Sequence, residues 1–259
     1  MTRKKVVNLL LNLLVFLLAG VALFSGSKII AALGEYGGNR QEYHDIREEM
    51  IIPKQQGKEG ETAEDDGYLR FDYNGLMRVN PDFKCWIEIP GTSISYPVVQ
   101  GPDNNYYLRR TFSGQYNVGG VIFFDYTCPD DLTGMNTVIY GHRMNDGSMF
   151  TDLKKFVNGD FALNNNEIHL YRPEGVYIYK IFSTFKTDAY SDCYTTRFAD
   201  EESFETWIKT QVARSFVYFE ETPTVDDKII TMSTCVGSWD EYGRYVVQAM
   251  LVDVVKIDD

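Results

Sequence analysis

A cysteine and an arginine stand at the two ends of a short segment near the C-terminus. Cys235 ends the apolar run KIITMSTC, Arg244 begins the run RYVVQAMLVDVV, and eight residues separate them. If the two runs pair as a β-hairpin, the two side chains are neighbours at one edge of a sheet. A guanidinium beside a thiol favours the thiolate and can donate hydrogen bonds to a developing oxyanion. The alternative is a buried structural cysteine beside an ordinary surface arginine, and this pattern leaves both open.

A histidine could supply the base that a cysteine nucleophile needs. His142 follows the apolar run TVIYG and stands between Gly141 and Arg143. A histidine at a strand end in a loop can be partly exposed, and imidazole is the usual partner of a thiol in acyl transfer. A hydrogen-bonded turn histidine is the alternative. The other two histidines fit a solvated helix face (His44) and a strand (His169).

Eight short runs rich in β-branched and aromatic residues predict the elements that position these groups. The runs are CWIEI, SYPVV, GVIFFDY, NTVIYG, EIHLY, VYIYKIFSTF, KIITMS and RYVVQAMLVDVV. With few helices between them, they favour a mainly β fold, a closed or nearly closed antiparallel barrel, over a βαβ sheet. Two helices interrupt the pattern, at 148–157 and at 200–216, the second packing one apolar face on the barrel.

An apolar segment precedes the barrel. Residues 6–24 contain no charge and are long enough to cross a bilayer as a helix. Arg3, Lys4 and Lys5 come before the segment, so the positive-inside rule places the N-terminus in the cytoplasm and the remainder outside. We expect an uncleaved anchor, and a cleaved signal peptide is the alternative.

The chain is expected to divide into three parts. Residues 1–31 form a cytoplasmic tail and transmembrane anchor, and residues 32–67 form a stalk helix, at 39–51, followed by a linker. Residues 68–259 form the folded domain.

Charge and cysteine spacing exclude several classes of protein. The formal net charge is −12, and residues 1–31 hold four cations and no acid, so the remainder carries 21 − 37 = −16. An anionic domain is a poor nucleic-acid binder. Cys85, Cys128, Cys193 and Cys235 form no C-x-x-C pair, which argues against a metal site or a disulfide scaffold. Neither a metal nor another cofactor is expected, and three of the cysteines are expected in the core.

Taken together, these motifs resemble those of class B sortases, the cysteine transpeptidases that attach proteins to Gram-positive cell walls. The resemblance lies in TMSTC ending at Cys235, the strand beginning Arg244-Tyr-Val-Val, YGHRMNDGSMF around His142, and NPDFKCWIEIPGTSISYPVVQGPDNNYYL at 80–108. It covers residues 68–256. One departure is Val236, where class B relatives often carry an acidic residue.

The resemblance implies a nucleophile at Cys235, a general acid/base at His142 and an oxyanion or substrate contact at Arg244. It further implies that five residues line the groove for a sorting signal: Ser233, Thr234, Asn104, Leu108 and Tyr140. The implied substrates are surface proteins with a C-terminal sorting signal. The implied acceptor is a peptidoglycan-precursor amine or a pilin lysine, and the implied location is the cell membrane with the catalytic domain outside.

Other families use the same residue types. In L,D-transpeptidases histidine and cysteine share one motif, whereas here they are 93 positions apart. Papain-like peptidases place the cysteine before the histidine. Both families fit the sequence less well, and a membrane-tethered barrel that only binds partners, with an inert Cys235, is the remaining alternative.

Overall fold

The barrel predicted from the sequence is present. A computed structural model of the chain describes residues 3–53, 66–237 and 240–257. Within these residues, eight strands close into a barrel in the order β1-β2-β3-β4-β7-β8-β6-β5. Their bounds are Phe83–Glu88 (β1), Ser95–Val99 (β2), Ile122–Phe124 (β3), Asn136–Tyr140 (β4), Glu167–Arg172 (β5), Gly175–Asp188 (β6), Ile229–Gly237 (β7) and Asp240–Val255 (β8). The mainly β, closed-barrel prediction is therefore confirmed.

The strand directions differ from the purely antiparallel arrangement expected. In the described barrel, β2 pairs with β3 and β4 pairs with β7 in parallel, while the other pairs are antiparallel. Parallel neighbours need a long crossover, and both connections are long: β2 to β3 contains a 3-10 helix, and β4 to β7 contains two further strands, two α-helices and two 3-10 helices. As a result, the C-terminal ends of β4 and β7 lie at the same end of the barrel.

Aromatic and branched side chains fill the interior. Trp86, Tyr171, Phe124 and Phe150 are fully buried and belong to one continuous core. Each aromatic side chain of this size removes a large apolar area from water, which stabilises the fold by about 25 cal/mol per Å². The barrel is thus a packed scaffold whose end can carry a rigid site.

The helix expected before the cysteine-bearing strand is confirmed. The structure shows helices at Arg3–Met50 (α1), Tyr73–Val79 (α2), Gly159–Asn164 (α3) and Glu201–Ala213 (α4), and 3-10 helices at Tyr106–Arg109, Phe150–Val157 and Asp192–Tyr194. Helix α4 begins after Asp200, whose side chain accepts from the Ser203 amide. It buries Phe204 and Trp207 beside Phe182. The helix predicted at 148–157 is a 3-10 helix.

The stalk helix is the end of one long helix. Helix α1 runs without a break through the apolar segment, of which Leu10–Ile30 is long and apolar enough to cross a membrane and is not buried against the barrel. His44 is exposed, as expected, but Tyr43 and Ile46 are buried in the barrel core. The Tyr43 hydroxyl donates to the Gly120 carbonyl oxygen at 2.7 Å.

The end of the predicted stalk therefore packs on the domain that was expected to begin at residue 68. Most of the predicted linker, residues 54–65, lies outside the described residues, and the three-part division stays a prediction.

Candidate active site

A pocket opens at the end of the barrel where β4 and β7 finish and β8 begins. Its volume is about 270 Å³. Its lining includes all eight residues that the sequence analysis assigned to the site: Asn104, Leu108, Tyr140, His142, Ser233, Thr234, Cys235 and Arg244. One cavity is therefore lined by strands, loops and a 3-10 helix that are distant in sequence. This is the convergence that the sequence motifs predict.

Strand pairing fixes the cysteine and the arginine next to each other. Cys235 on β7 lies directly opposite Arg244 on β8 in the antiparallel ladder, which confirms the predicted hairpin. The Arg244 guanidinium donates through Nη1 to the carbonyl oxygens of Glu241 and Gly243, both at 2.9 Å. A guanidinium has five N–H donors, so these bonds occupy only part of its donor capacity. The Arg244 guanidinium is therefore held by two carbonyl oxygens of its own hairpin, and its remaining N–H groups can donate to another oxygen.

Cys235 differs from the other three cysteines in its exposure. Cys85, Cys128 and Cys193 are buried, whereas Cys235 is half-buried at the pocket. Burial raises the pKa of Cys85 to about 12 and the pKa of both Cys128 and Cys193 to about 11. Because the thiolate is the nucleophilic form, these three remain unreactive near neutral pH. The expectation that three cysteines lie in the core is confirmed.

One hydrogen bond defines the tautomer of His142. Its Nε2 lies 2.7 Å from the carbonyl oxygen of Leu108. A carbonyl oxygen can only accept, so Nε2 carries the hydrogen and Nδ1 is the basic atom of the neutral ring. Burial lowers the pKa of His142, with a further lowering from Arg109, while the bond to Leu108 opposes the shift. Neutral imidazole is therefore the main form near neutral pH, and Nδ1 can take a proton.

The loop around His142 is closely packed. The Phe150 amide donates to the His142 carbonyl oxygen at 2.9 Å, and the Gly141 amide donates to the Ser233 carbonyl oxygen at 3.2 Å. A Cβ atom at Gly141 would lie 2.7 Å from the Phe150 ring. Because Gly141 has no side chain, the backbone after β4 can pass close to the Phe150 ring. This path places His142 in the pocket lining.

The remaining predicted residues line the wall between strand ends. Ser233 on β7 pairs with Tyr140 on β4, and its Oγ lies 2.8 Å from the hydroxyl oxygen of Tyr194. Thr234 Oγ1 is buried and has no hydrogen-bond partner among the described residues. The Ser233 hydroxyl is therefore held by Tyr194, whereas the Thr234 hydroxyl oxygen is not exposed on the pocket surface.

Sequence reasoning missed several residues at the site. Tyr194, Phe123, Gly141 and Ala189 also line the pocket. Asp125 lies behind the lining, where Asn104 Nδ2 donates to its Oδ2 at 2.8 Å and the Tyr140 hydroxyl donates to the same oxygen at 3.2 Å. The one available signal was an isolated acid at the end of the apolar run GVIFFDY.

The donor set fits acyl transfer rather than metal chemistry. In the described part of the chain, no group of three His, Cys, Asp or Glu side chains could hold a metal ion. A half-buried thiol, a neutral imidazole and a guanidinium fork can instead provide a nucleophile, a proton carrier and an oxyanion donor.

Comparisons with known proteins point in the same direction. A family model described as "Sortase domain" matches residues 87–252. The chain is 32% identical to "Sortase B" of Listeria monocytogenes, over 96% of this chain and 99% of that protein.

Solved structures show the same likeness in three dimensions. A Clostridium perfringens sortase B superposes with a TM-score of 0.66 and 34% identity, covering 70% of this chain and 99% of that one. A Staphylococcus aureus sortase B–substrate complex superposes with a TM-score of 0.71 and 26% identity, covering 85% of this chain and 99% of that one.

Proposed function

The chain belongs to the sortase family and is a class B sortase, a cysteine transpeptidase of cell-wall anchoring, and from this premise we propose what each pocket residue does. The observation that carries the proposal is the placement of the half-buried Cys235 in one pocket with His142 and Arg244, while the other three cysteines are buried. Cys235 is the nucleophile, His142 carries the proton and Arg244 binds the oxyanion.

The first half of the reaction forms a thioester. Cys235 Sγ attacks the carbonyl carbon of a Thr-Gly-like or Thr-Asn-like bond in a sorting signal, and His142 Nδ1 takes the thiol proton. Free N–H groups of Arg244 bind the negative oxygen of the tetrahedral intermediate. The imidazolium then gives its proton to the departing amine as the C–N bond breaks.

The second half transfers the acyl group. An acceptor amine attacks the thioester carbonyl, neutral His142 takes one of its protons, and the C–S bond breaks with the proton returned to Cys235. One amide replaces another, so no oxidant, reductant or metal enters the balance. We propose that the acceptor is a peptidoglycan-precursor amine or a pilin lysine, and that Ser233, Thr234, Asn104, Leu108 and Tyr140 contact the sorting signal.

Cysteine variants test the assignment of the nucleophile. The full-length protein in detergent would be incubated with a panel of sorting-motif peptides. Cys235→Ala should abolish both cleavage and covalent capture of a peptide, because no other thiol lies in the pocket lining. Cys85→Ala, Cys128→Ala and Cys193→Ala are the matched controls and should stay active. Release of the C-terminal fragment by Cys235→Ala would show that the proposed mechanism is wrong.

We also propose that helix α1 is an uncleaved membrane anchor with its N-terminus in the cytoplasm. The support is the apolar span Leu10–Ile30 and the cations that precede it. Protease added to intact protoplasts should digest the catalytic domain. Protection of the domain would contradict this orientation.

A further inference from the structure

A buried carboxylate lies directly behind the substrate-facing wall of the pocket. Asp125, at the end of β3, is buried but is not part of the pocket lining. Its Oδ1 accepts from the amide and the hydroxyl of Thr127, at 2.9 and 2.7 Å. Its Oδ2 accepts from Asn104 Nδ2 at 2.8 Å and from the Tyr140 hydroxyl at 3.2 Å. Oδ1 thus stabilises the turn at Thr127, and Oδ2 holds the side chains of Asn104 and Tyr140, which line the pocket.

The bond to Asp125 fixes the orientation of the Asn104 amide. Asn104 Oδ1 accepts from the Tyr126 amide at 3.1 Å, while Nδ2 donates to Asp125. Both ends of the carboxamide are therefore held, and a flip would place Oδ1 against the carboxylate. Because Nδ2 has two hydrogens and Asp125 takes one, the second remains as a donor for the pocket.

The same carboxylate determines the hydrogen-bonding role of the Tyr140 hydroxyl. An ionised carboxylate only accepts, so the Tyr140 hydroxyl must donate to it and its own oxygen lone pairs remain for another partner. Burial and the negative charge of Asp125 raise the pKa of Tyr140, so the phenol stays protonated. Its ring packs between Phe123 and Tyr194, with centroid separations of 5.5 and 6.0 Å. The ring therefore cannot swing away easily.

We propose that Asp125 is a positioning residue that determines specificity for a neutral amide in the substrate. By accepting from both side chains, it makes Asn104 present an N–H donor to the pocket and Tyr140 present an oxygen acceptor beside it. A neutral amide, which both accepts and donates, complements this pair. A carboxylate has no donor for Tyr140 and is repelled by the charge of Asp125 a few ångströms behind the wall. This inference rests on the proposed role of Asn104 and Tyr140 as contacts of the sorting signal.

The chain provides a matched control. Asp131 makes the same local turn, accepting from the amide and the hydroxyl of Thr133 at 3.1 and 2.6 Å. It is exposed and absent from the pocket lining. Asp125→Asn and Asp131→Asn therefore disturb equivalent turns, and only the first disturbs the pocket.

The experiment compares these two full-length variants in detergent on pairs of sorting peptides. Within a pair, one amide side chain is replaced by its acid, Asn by Asp or Gln by Glu, at each motif position in turn. Asp125→Asn should raise KM by about 10-fold and leave kcat within about threefold, the size of effect for one or two lost hydrogen bonds. At the position that contacts Asn104 and Tyr140, it should also reduce the preference for amide over acid by about 10-fold. Asp131→Asn should match the wild type.

Three further measurements separate a loss of folding from a loss of positioning. Thermal unfolding and alkylation of Cys235 report whether Asp125→Asn is folded, and Tyr140→Phe, which leaves the Asp125 turn intact, should reduce the same amide preference. Equal specificity of Asp125→Asn and Asp131→Asn, or a fall in kcat with KM unchanged, would overturn the positioning role. If wild-type protein cleaved no peptide of the panel, the proposed function itself would be wrong.

Discussion

The two sides of the active-site pocket are held in position by different kinds of structure. Cys235 and Arg244 belong to β7 and β8, and each of these strands has a neighbour on both sides. His142 lies on a loop just beyond β4 and is held by the carbonyl oxygen of Leu108, in a 3-10 helix 34 positions earlier. Strand register places Cys235 beside Arg244, whereas tertiary contacts between loops place His142.

The difference predicts different tolerances on the two sides. A ladder of regular backbone hydrogen bonds changes register only as a whole, so small side-chain changes leave Cys235 and Arg244 paired. The His142 loop contains Met149 with a positive φ angle of 56°, a conformation that residues other than glycine rarely adopt. The loop therefore keeps this conformation only through its contacts with neighbouring residues. Substitutions at those contacts can displace His142.

The largest effect is expected from removal of the proposed proton carrier, His142. His142→Ala should lower kcat/KM by about 10³-fold, within the usual range for general acid–base catalysis. Cys235 should still react with an alkylating reagent, because its position depends on the ladder and not on the loop. Peptide turnover and alkylation rates measure the two properties separately. Loss of alkylation in this variant would show that the two sides are not independent.

Arg244→Lys tests the ladder side. An ammonium cannot reproduce the guanidinium fork, so we expect turnover to fall by about 10²-fold, as for loss of one oxyanion donor. The loss should appear in kcat, since the anionic oxygen exists only after attack. Steady-state kinetics with a cleaved peptide check this. A rise in KM with unchanged kcat would instead make Arg244 a ground-state binding residue.

A smaller effect is expected at the contact between helix α1 and the barrel. Tyr43→Phe removes the hydroxyl that donates to the Gly120 carbonyl oxygen and should lower the free energy of unfolding by about 1 kcal/mol. Urea denaturation of the full chain in detergent measures it. The exposed His44 on the same helix is the control, and His44→Gln should change stability by less than about 0.5 kcal/mol. Equal effects of the two variants would mean that the contact contributes nothing.

The smallest effect concerns the pH dependence of stability. Because burial lowers the pKa of His142 in the folded state, the unfolded chain binds more protons between the folded pKa and the ordinary value near 6.5. Stability should therefore fall as pH decreases through that window, and this group should add no pH dependence of stability above it. Urea midpoints at pH 5 and pH 7.5 test this, because His142→Gln should lose less stability on acidification than the wild type. An equal loss would argue against a lowered pKa.

The sequence predicted best those features that depend on neighbouring residues. Runs of β-branched and aromatic residues predicted the eight strands, and a single hairpin brought Cys235 and Arg244 together. The position of His142 relative to Cys235 came from the resemblance, since no local pattern links residues 93 positions apart.

Features that depend on distant contacts were missed. Asp125 acts through Asn104 and Tyr140, 21 and 15 positions away, and Tyr194 meets Ser233 across 39 positions. The packing of Tyr43 on Gly120 spans 77 positions, so the end of the predicted stalk resembled a solvated helix. The two parallel strand pairs were also missed, because alternation of apolar residues does not reveal strand direction.

The unbroken helix α1 has a consequence for how far the enzyme can reach. Tyr43, a helix α1 residue that packs in the barrel core, follows the end of the apolar span, Ile30, by 43 − 30 = 13 residues, which is about 20 Å of α-helix. With helix α1 anchored in the membrane as proposed, such a rod sets the height of the pocket above the lipid surface instead of letting it sample a range of heights. Substrate and acceptor must then arrive within a thin layer parallel to the membrane, and the length of their own tethers decides which of them can enter it.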